Sequence, residues 1–243
     1  MKHRELFSNL LTAPPIFLRL DGRAFHSLAE RIAMEKPFDL RFSEAMESVC
    51  RRLTAESGLN PEFVYTFSDE ISLYMTNLPF GGRVEKIDSI SASFASSALT
   101  LELKADTPVS FDARIVQMTP ALVQEYLVNR QSEAWRNHLN AYCQHALTIE
   151  GMTPLEAASA LRGVSSRKLH EMMFSRGINL AETPAWQRRG VLVYKKSFPV
   201  LGYNPRKQEE VETTRSVVVS DREIPVFGSP EGKLFISSLI GSF

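Results

Sequence analysis

Three carboxylates and one arginine stand where a side chain can be both exposed and rigidly held. Asp21 closes the apolar run Ile16-Phe17-Leu18-Arg19-Leu20, and Asp69 with Glu70 follows the apolar run Phe63 to Phe67. If the first strand and the hairpin that carries Asp69 are neighbours, Asp21 and Asp69 lie side by side, and like charges that close repel unless a cation sits between them. Such hard oxygen ligands suit Mg²⁺, which keeps waters and takes one or two carboxylates together with substrate phosphates. Two ions held this way stabilise both the attacking and the leaving oxygen of a phosphoryl transfer. The next residues, Gly22-Arg23-Ala24-Phe25-His26, pass from a strand into a helix start, where free backbone N–H groups cradle phosphate. Arg19, alone among apolar neighbours, suits the same cleft as a phosphate binder or a carboxylate partner. Plainer roles fit the same residues: Asp21 as an N-cap, Ser68-Asp69 as turn residues, His26 as a packed or solvated side chain, and Lys36-Pro37-Phe38-Asp39 as a helix stop and start.

The elements that must position these groups follow from periodicity. Ile16 to Leu20 reads as a buried strand, and helical spacing follows at Phe25, Leu28, Ala29 and Ile32 until Pro37 stops it. A second helix carries Phe42, Met46, Val49, Cys50 and Leu53 on one face and ends near Gly58. Phe63 to Phe67 and Ile71 to Met75 form a hairpin around Ser68-Asp69-Glu70, Ile87 to Leu101 a further helix, and Val109 to Met118 a strand. This order is the ferredoxin-like split βαβ plan with one extra helix, an α+β fold whose antiparallel sheet carries helices on one face. From Thr119 onward, strong helix starts dominate: Thr119-Pro120, the capping box Thr153-Pro-Leu-Glu156, and a helix from about Ser165 ending before Gly177. Val191 to Tyr194 and Thr213 to Val219 read as a late strand pair, joined by a polar segment from Asn204 to Glu212 that is expected to be mobile. The division falls at residue 118: residues 1–118 are expected to form the region that carries the carboxylates, and 119–243 a helical, basic region packed closely on it, the candidate nucleic-acid-binding part.

The chain of 243 residues carries 28 basic and 28 acidic side chains, so global charge argues for no polyanionic partner. Local charge does. Through residue 110 twelve basic side chains face fifteen acidic ones, whereas the span from Arg162 to Lys207 holds ten basic residues against only Glu171 and Glu182, a net of +8. With Trp186 and Tyr194 interleaved, that span has the makeup of a polyanion surface, although a solvated face has the same composition. Cys50 and Cys143 sit singly among apolar helical positions, which reads as two buried thiols in a reducing compartment. No leader or membrane span is expected, and a cytoplasmic location is the default.

Arg19-Leu-Asp-Gly-Arg-Ala-Phe-His26, Lys36-Pro-Phe-Asp39, Phe67-Ser-Asp-Glu70 and Phe111-Asp-Ala-Arg114, in that order, resemble the tRNA(His) guanylyltransferase family, and the resemblance continues through Arg130-Gln131 to a weaker match from Gly163 to Phe174. It implies a polymerase-like palm that adds nucleotides to tRNA 5′ ends in the 3′-to-5′ direction. Two Mg²⁺ ions would be held by Asp21, Asp69 and the Gly22 carbonyl, with Glu70 a supporting catalytic carboxylate. Gly22, Arg23, Ala24, Phe25, His26, Lys36, Asp39 and Ser68 would bind GTP or ATP; Arg19, Lys86 and Arg114 would meet triphosphate or the tRNA 5′ end. The expected tRNA contacts are Arg130, Arg136, Arg167, Lys168, Arg188, Arg189, Lys195 and Lys196, and a dimer or tetramer is implied. Where eukaryotic members have His-Ile-Asn-Asn, this chain has Trp135-Arg136-Asn137-His138, and the later Lys-Asn-Glu pattern is Leu169-His170-Glu171. These departures resemble the archaeal and bacterial guanylyltransferase-like branch, which implies template-dependent 5′-end repair. A palm-type nucleotide cyclase and a non-catalytic tRNA-binding protein are the alternatives.

Overall fold

The computed structural model describes residues 4–204 and 208–241; Arg206 and Lys207 of the basic span lie outside the described residues. Its frame is one six-stranded antiparallel sheet in the order β4-β1-β3-β2-β5-β6. The strands are β1 (Ile16–Arg23), β2 (Phe63–Phe67), β3 (Glu70–Met75), β4 (Ser110–Gln117), β5 (Val191–Asn204) and β6 (Glu209–Asp221). The first four make the expected palm, an α+β arrangement. The late hairpin is no separate unit, because β5 pairs with β2 at Thr66↔Val191 through Phe63↔Tyr194 and so extends the palm sheet.

Alternation along β1 divides the core. Ile16, Leu18 and Leu20 face α1 (Phe25–Arg31), α2 (Leu40–Ala55) and α3 (Val84–Glu102), packing on Leu28, Met46, Val49, Leu53, Ala95 and Leu99. Phe17, with Phe63, Tyr65 and Tyr74, faces α4 (Pro120–Ile149) and α8 (Pro230–Ile240) through Val123, Leu127 and Ile236. β2 is buried along its whole length, as a strand covered on both faces must be. The opening of α2 is fixed by Asp39, whose carboxylate accepts from the backbone N–H groups of Arg41 and Phe42. Between α7 (Ala185–Arg189) and β5, Gly190 has φ +80°, and a Cβ there would lie 2.6 Å from the Thr66 carbonyl oxygen, so only glycine lets this chain reversal press against β2.

Two differences from the sequence reading have physical causes. The late strands run about ten residues beyond β2, as a two-stranded ribbon from Lys195↔Val218 to Asn204↔Glu209, so in the expected Asn204–Glu212 connection every described residue but Gln208 is strand, and 205–207 lie outside the described residues. Here cross-strand pairing, which no single-segment pattern reports, overrode the polar composition. α7 and α8 were not anticipated, the first because five residues carry no period, the second because Ser229-Pro230 starts an isolated helix far from any other signal. Among the described residues no helix is long and apolar enough to cross a membrane. Cys50 and Cys143 are both free and buried.

A third core joins α4 to α5 (Pro154–Leu161) and α6 (Ser166–Phe174) through Leu139, Cys143, Leu169 and Met173. Beside it His138 is fully buried; Thr183 spends its hydroxyl proton on the Leu180 carbonyl, so His138 Nε2 donates to Thr183 Oγ1 at 2.8 Å, while its buried Nδ1 has no partner for a second proton. Burial first, then the Arg188 charge, holds its pKa down at about 4. A histidine so depressed stabilises the fold above its unfolded pKa near 6.5 and loses that contribution as pH falls toward 4. Between pH 6.5 and 4.5 the wild type is therefore expected to lose roughly 2 kcal/mol more stability than His138→Gln, measured by urea denaturation at each pH; parallel slopes would remove the buried neutral histidine from the account.

Candidate functional site

The strand register builds the site. β1 runs between β3 and β4, so its odd residues stand in cross-strand rows on the α4 face: Asp112, Asp21 and Glu70 in one, Arg114, Arg19 and Ser72 in the next, Val116, Phe17 and Tyr74 in the third. Asp69 belongs to the tight β2–β3 turn, where Ser68 takes φ +50° and its hydroxyl donates to Asp69 Oδ1 at 3.1 Å. The structure thus brings Asp21, Asp69 and Glu70 together at one end of the sheet. Burial pushes the Asp69 and Glu70 carboxyls up, and the Asp21 charge adds to both shifts.

Helix α4 closes this face with two rungs. Tyr126 stacks on Phe17 with centroids 4.0 Å apart, and its hydroxyl pairs with Ser72 Oγ at 2.9 Å. One turn on, Arg130 Nη1 donates to Glu70 Oε2 at 3.0 Å, both side chains largely buried. Arg130, expected on the tRNA surface, is therefore engaged inside the protein. Two polar atoms in this cluster, Arg19 Nε and Glu70 Oε1, are buried with no hydrogen-bond partner.

Next to Asp69 a cavity of ≈ 420 Å³ opens between the turn, the start of α2 and the second half of α4. Phe25, His26, Lys36, Phe38, Ser68 and Asp69 line one side, and Asn137, Asn140, Gln144, Trp186 and Gln187 the other. Its size is within the usual range for small-ligand sites. Gly22 shapes the near wall: a Cβ there would meet the Phe25 ring at 2.3 Å, and that ring packs edge-on against Phe42 and Phe111. Ala24, at the N-cap of α1, takes the left-handed φ of 58°. Asp39 has a structural part: its carboxylate, 3% exposed, also accepts from the Glu35 N–H and the Arg41 guanidinium, which holds its pKa down at about 2. Asp39 also borders the cavity, and through these local donors it fixes the Lys36–Phe38 wall.

His26, on the cavity wall, is exposed and reaches Glu30 at 3.6 Å. Other expected residues are dispersed: Arg23 is exposed at the end of β1. Lys86 is exposed on α3, ten residues or about 15 Å along the axis before Ser96, whose hydroxyl accepts from Phe111 N level with Gly22. Arg114 bonds Asp112 on the exposed edge strand. Arg188 and Arg189 donate to the Thr183 and Ile224 carbonyls and tie down their own segments. Lys195 bonds Asn60, while Lys196, its neighbour on β5, faces the other side of the sheet. Arg136 pairs with Glu133 and Arg167 with Glu171, both at the surface, and Lys168 is exposed. The two stretches that depart from the eukaryotic pattern meet in space: Trp135 stacks on His138 with centroids 5.2 Å apart and lies 5.9 Å from His170.

Sequence reasoning missed Tyr126, Ser72 and the α4 side of the cavity. A signal existed, since Tyr126 and Arg130 are a polar i, i+4 pair on the same helix face as buried Val123, Leu127 and Ala134.

Comparison with known proteins gives a consistent result. The family model described as tRNAHis guanylyltransferase matches residues 1–119, and that of the Thg1 C-terminal domain matches residues 121–226. A probable tRNA(His) guanylyltransferase of Dictyostelium discoideum is 34% identical over 196 residues, 74% of this chain and 75% of that protein. Bacterial tRNA(His) guanylyltransferase-like proteins solved with GTP and with ATP share the fold at TM-scores of 0.75 and 0.77, with 23% identity, covering 99% of this chain and 96% and 97% of theirs.

Gly22→Ala tests the cavity wall. The added methyl must displace the Phe25 ring, an overpacking cost of about 2 kcal/mol. Urea denaturation should show that loss; a wild-type stability would refute the close contact.

Proposed function

The chain belongs to the tRNA(His) guanylyltransferase family, whose members are nucleotidyltransferases, and on that footing we propose that it extends the 5′ ends of tRNAs in the 3′-to-5′ direction, using the opposite strand as template. The observation that carries the reading is the convergence of Asp21, Asp69 and Glu70 with Arg19 beside a cavity of nucleotide size.

The donor set fits Mg²⁺. Carboxyls pushed up by burial and mutual repulsion, and a buried Glu70 Oε1 without a partner, are what a cation relieves. Among the described residues no three acidic, histidine or cysteine side chains form a ready cage, so Asp21, Asp69 and the Gly22 carbonyl would be completed by substrate phosphates and water, as this ion prefers. Bound there, Mg²⁺ would offset charge developing on the transferred phosphate. In the proposed sequence a 5′-monophosphate oxygen attacks the α-phosphate of ATP or GTP and pyrophosphate leaves; the 3′-hydroxyl of the incoming nucleotide then attacks the activated 5′ phosphate and the nucleoside monophosphate leaves. Arg19 Nε is buried without a protein partner and its charge acts on Glu70, which suits a guanidinium held to offset charge at the carboxylates. The Phe38 and Trp186 rings line the cavity against which a base can pack. Of the 135–138 stretch, Trp135 and His138 serve packing of the helical lobe, while Asn137 borders the cavity. That supports base pairing over side-chain reading of a single anticodon as the source of selection.

Supplying 5′-labelled tRNA(His) and several 5′-truncated tRNAs with each NTP and Mg²⁺ tests the reading. Lengthening of the truncated tRNAs by template-matched nucleotides is expected; a single guanosine on tRNA(His) alone would remove the repair role, and cyclic nucleotide formed without RNA would mean a cyclase. Asp21→Ala and Asp69→Ala should each lower addition at least a hundredfold while RNA affinity stays within about twofold; unchanged addition would leave a binding protein.

A further inference from the structure

The Arg130–Glu70 pair has no place in the nucleotide or tRNA contacts described so far. It crosses from the helical region into the palm, from α4 to the first residue of β3. Glu70 is directly opposite Asp21 in the register and next in sequence to Asp69. Its two oxygens are treated differently: Oε2 accepts from Arg130 at 3.0 Å, while Oε1 is buried and unpartnered. The pair is held from both sides. Tyr126 fixes α4 one turn earlier through Ser72, two residues along β3, and the rise of four helical residues, about 6 Å, matches that of two strand residues, about 6.7 Å. On the next α4 position, Gln131 bonds the Pro225 carbonyl and the Phe227 N–H and so fixes the rotation of the helix.

We infer that Arg130 is a positioning residue for the nucleotidyl transfer: by gripping Glu70 Oε2 it fixes where Oε1 stands beside Asp21 and Asp69, and it supplies the one positive charge that α4 brings to the acidic row. The inference rests on the proposed transfer reaction for its rate consequence, though not for its consequence on cation binding. Arg130 reaches no substrate itself. Removing it leaves three carboxylates with one fewer counter-charge, so a divalent cation binds more tightly while its carboxylate shell loses its fixed geometry.

Arg130→Met and Arg130→Lys, in the full chain, separate the possibilities. Mn²⁺ binding followed by electron paramagnetic resonance should be several-fold tighter in Arg130→Met and near wild type in Arg130→Lys. At saturating RNA and nucleotide, single-turnover addition should fall about fiftyfold in Arg130→Met and about tenfold in Arg130→Lys, with RNA affinity and its salt dependence unchanged. Weaker RNA binding with a salt slope reduced by about one, at wild-type Mn²⁺ affinity and rate, would make Arg130 a phosphate contact and overturn the inference. So would a folded Arg130→Met with unchanged Mn²⁺ affinity. If Arg130→Met does not fold, a Lys variant with the wild-type rate at saturation overturns it. Should the wild type add no nucleotide to any tRNA, the proposed function fails, and the Mn²⁺ comparison still decides the role of Arg130.

Discussion

Mutual repulsion among carboxylates at one end of the sheet is the constraint on which the rest of the molecule depends. At the ~5 Å spacing of cross-strand neighbours, two bare charges repel by about 3 kcal/mol at an effective dielectric constant near 20. Asp21 and Glu70 are such neighbours, and Asp69 is adjacent. A two-residue turn and a strand pair on each side of β3 force them together regardless. The compensation available from the chain is cationic and comes from below and above the row: Arg19 from the same strand as Asp21, Arg130 from α4. What remains is acidic charge that a further cation would offset, which is the physical basis of the proposed Mg²⁺ site.

Much of this was legible in the sequence, for reasons that can be assigned. Strands end where apolar alternation ends, so Asp21 and the Ser68-Asp69 turn could be located without coordinates, and an α+β order with an antiparallel hairpin places them side by side. Arg19 was conspicuous because a guanidinium inside an apolar run demands a partner. The helix-borne half of the site was harder. Asn137, Asn140 and Gln144 are ordinary exposed-face residues of a 30-residue helix until α4 is seen to run past the end of the sheet and wall the cavity. Asp39 shows why: an N-cap and a ligand look alike in a sequence, and only the five hydrogen bonds from Glu35, Arg41 and Phe42 reveal the cap.

Charge counting shows the same limit in another form. The net +8 between Arg162 and Lys207 suggested one surface. In three dimensions Arg188 and Arg189 hold backbone carbonyls, Arg167 and Arg176 are paired with Glu171 and Glu150, and Lys195 and Lys196 diverge across a strand. Arginine's planar fork serves internal carbonyls as readily as it serves phosphate, and sequence density alone does not say which.

The strand order carries one more implication. Because β2 lies between β3 and β5, the turn bearing Asp69 is an interior part of a sheet whose completion comes some 120 residues later in the chain. During synthesis the palm segment therefore emerges with the β2 edge bare, a hydrophobic strand with unsatisfied backbone groups, and stays so until Val191 to Tyr194 arrive to zip against it. The nascent chain therefore has a built-in period of vulnerability to intermolecular strand pairing, which ends only when the C-terminal segment covers that edge.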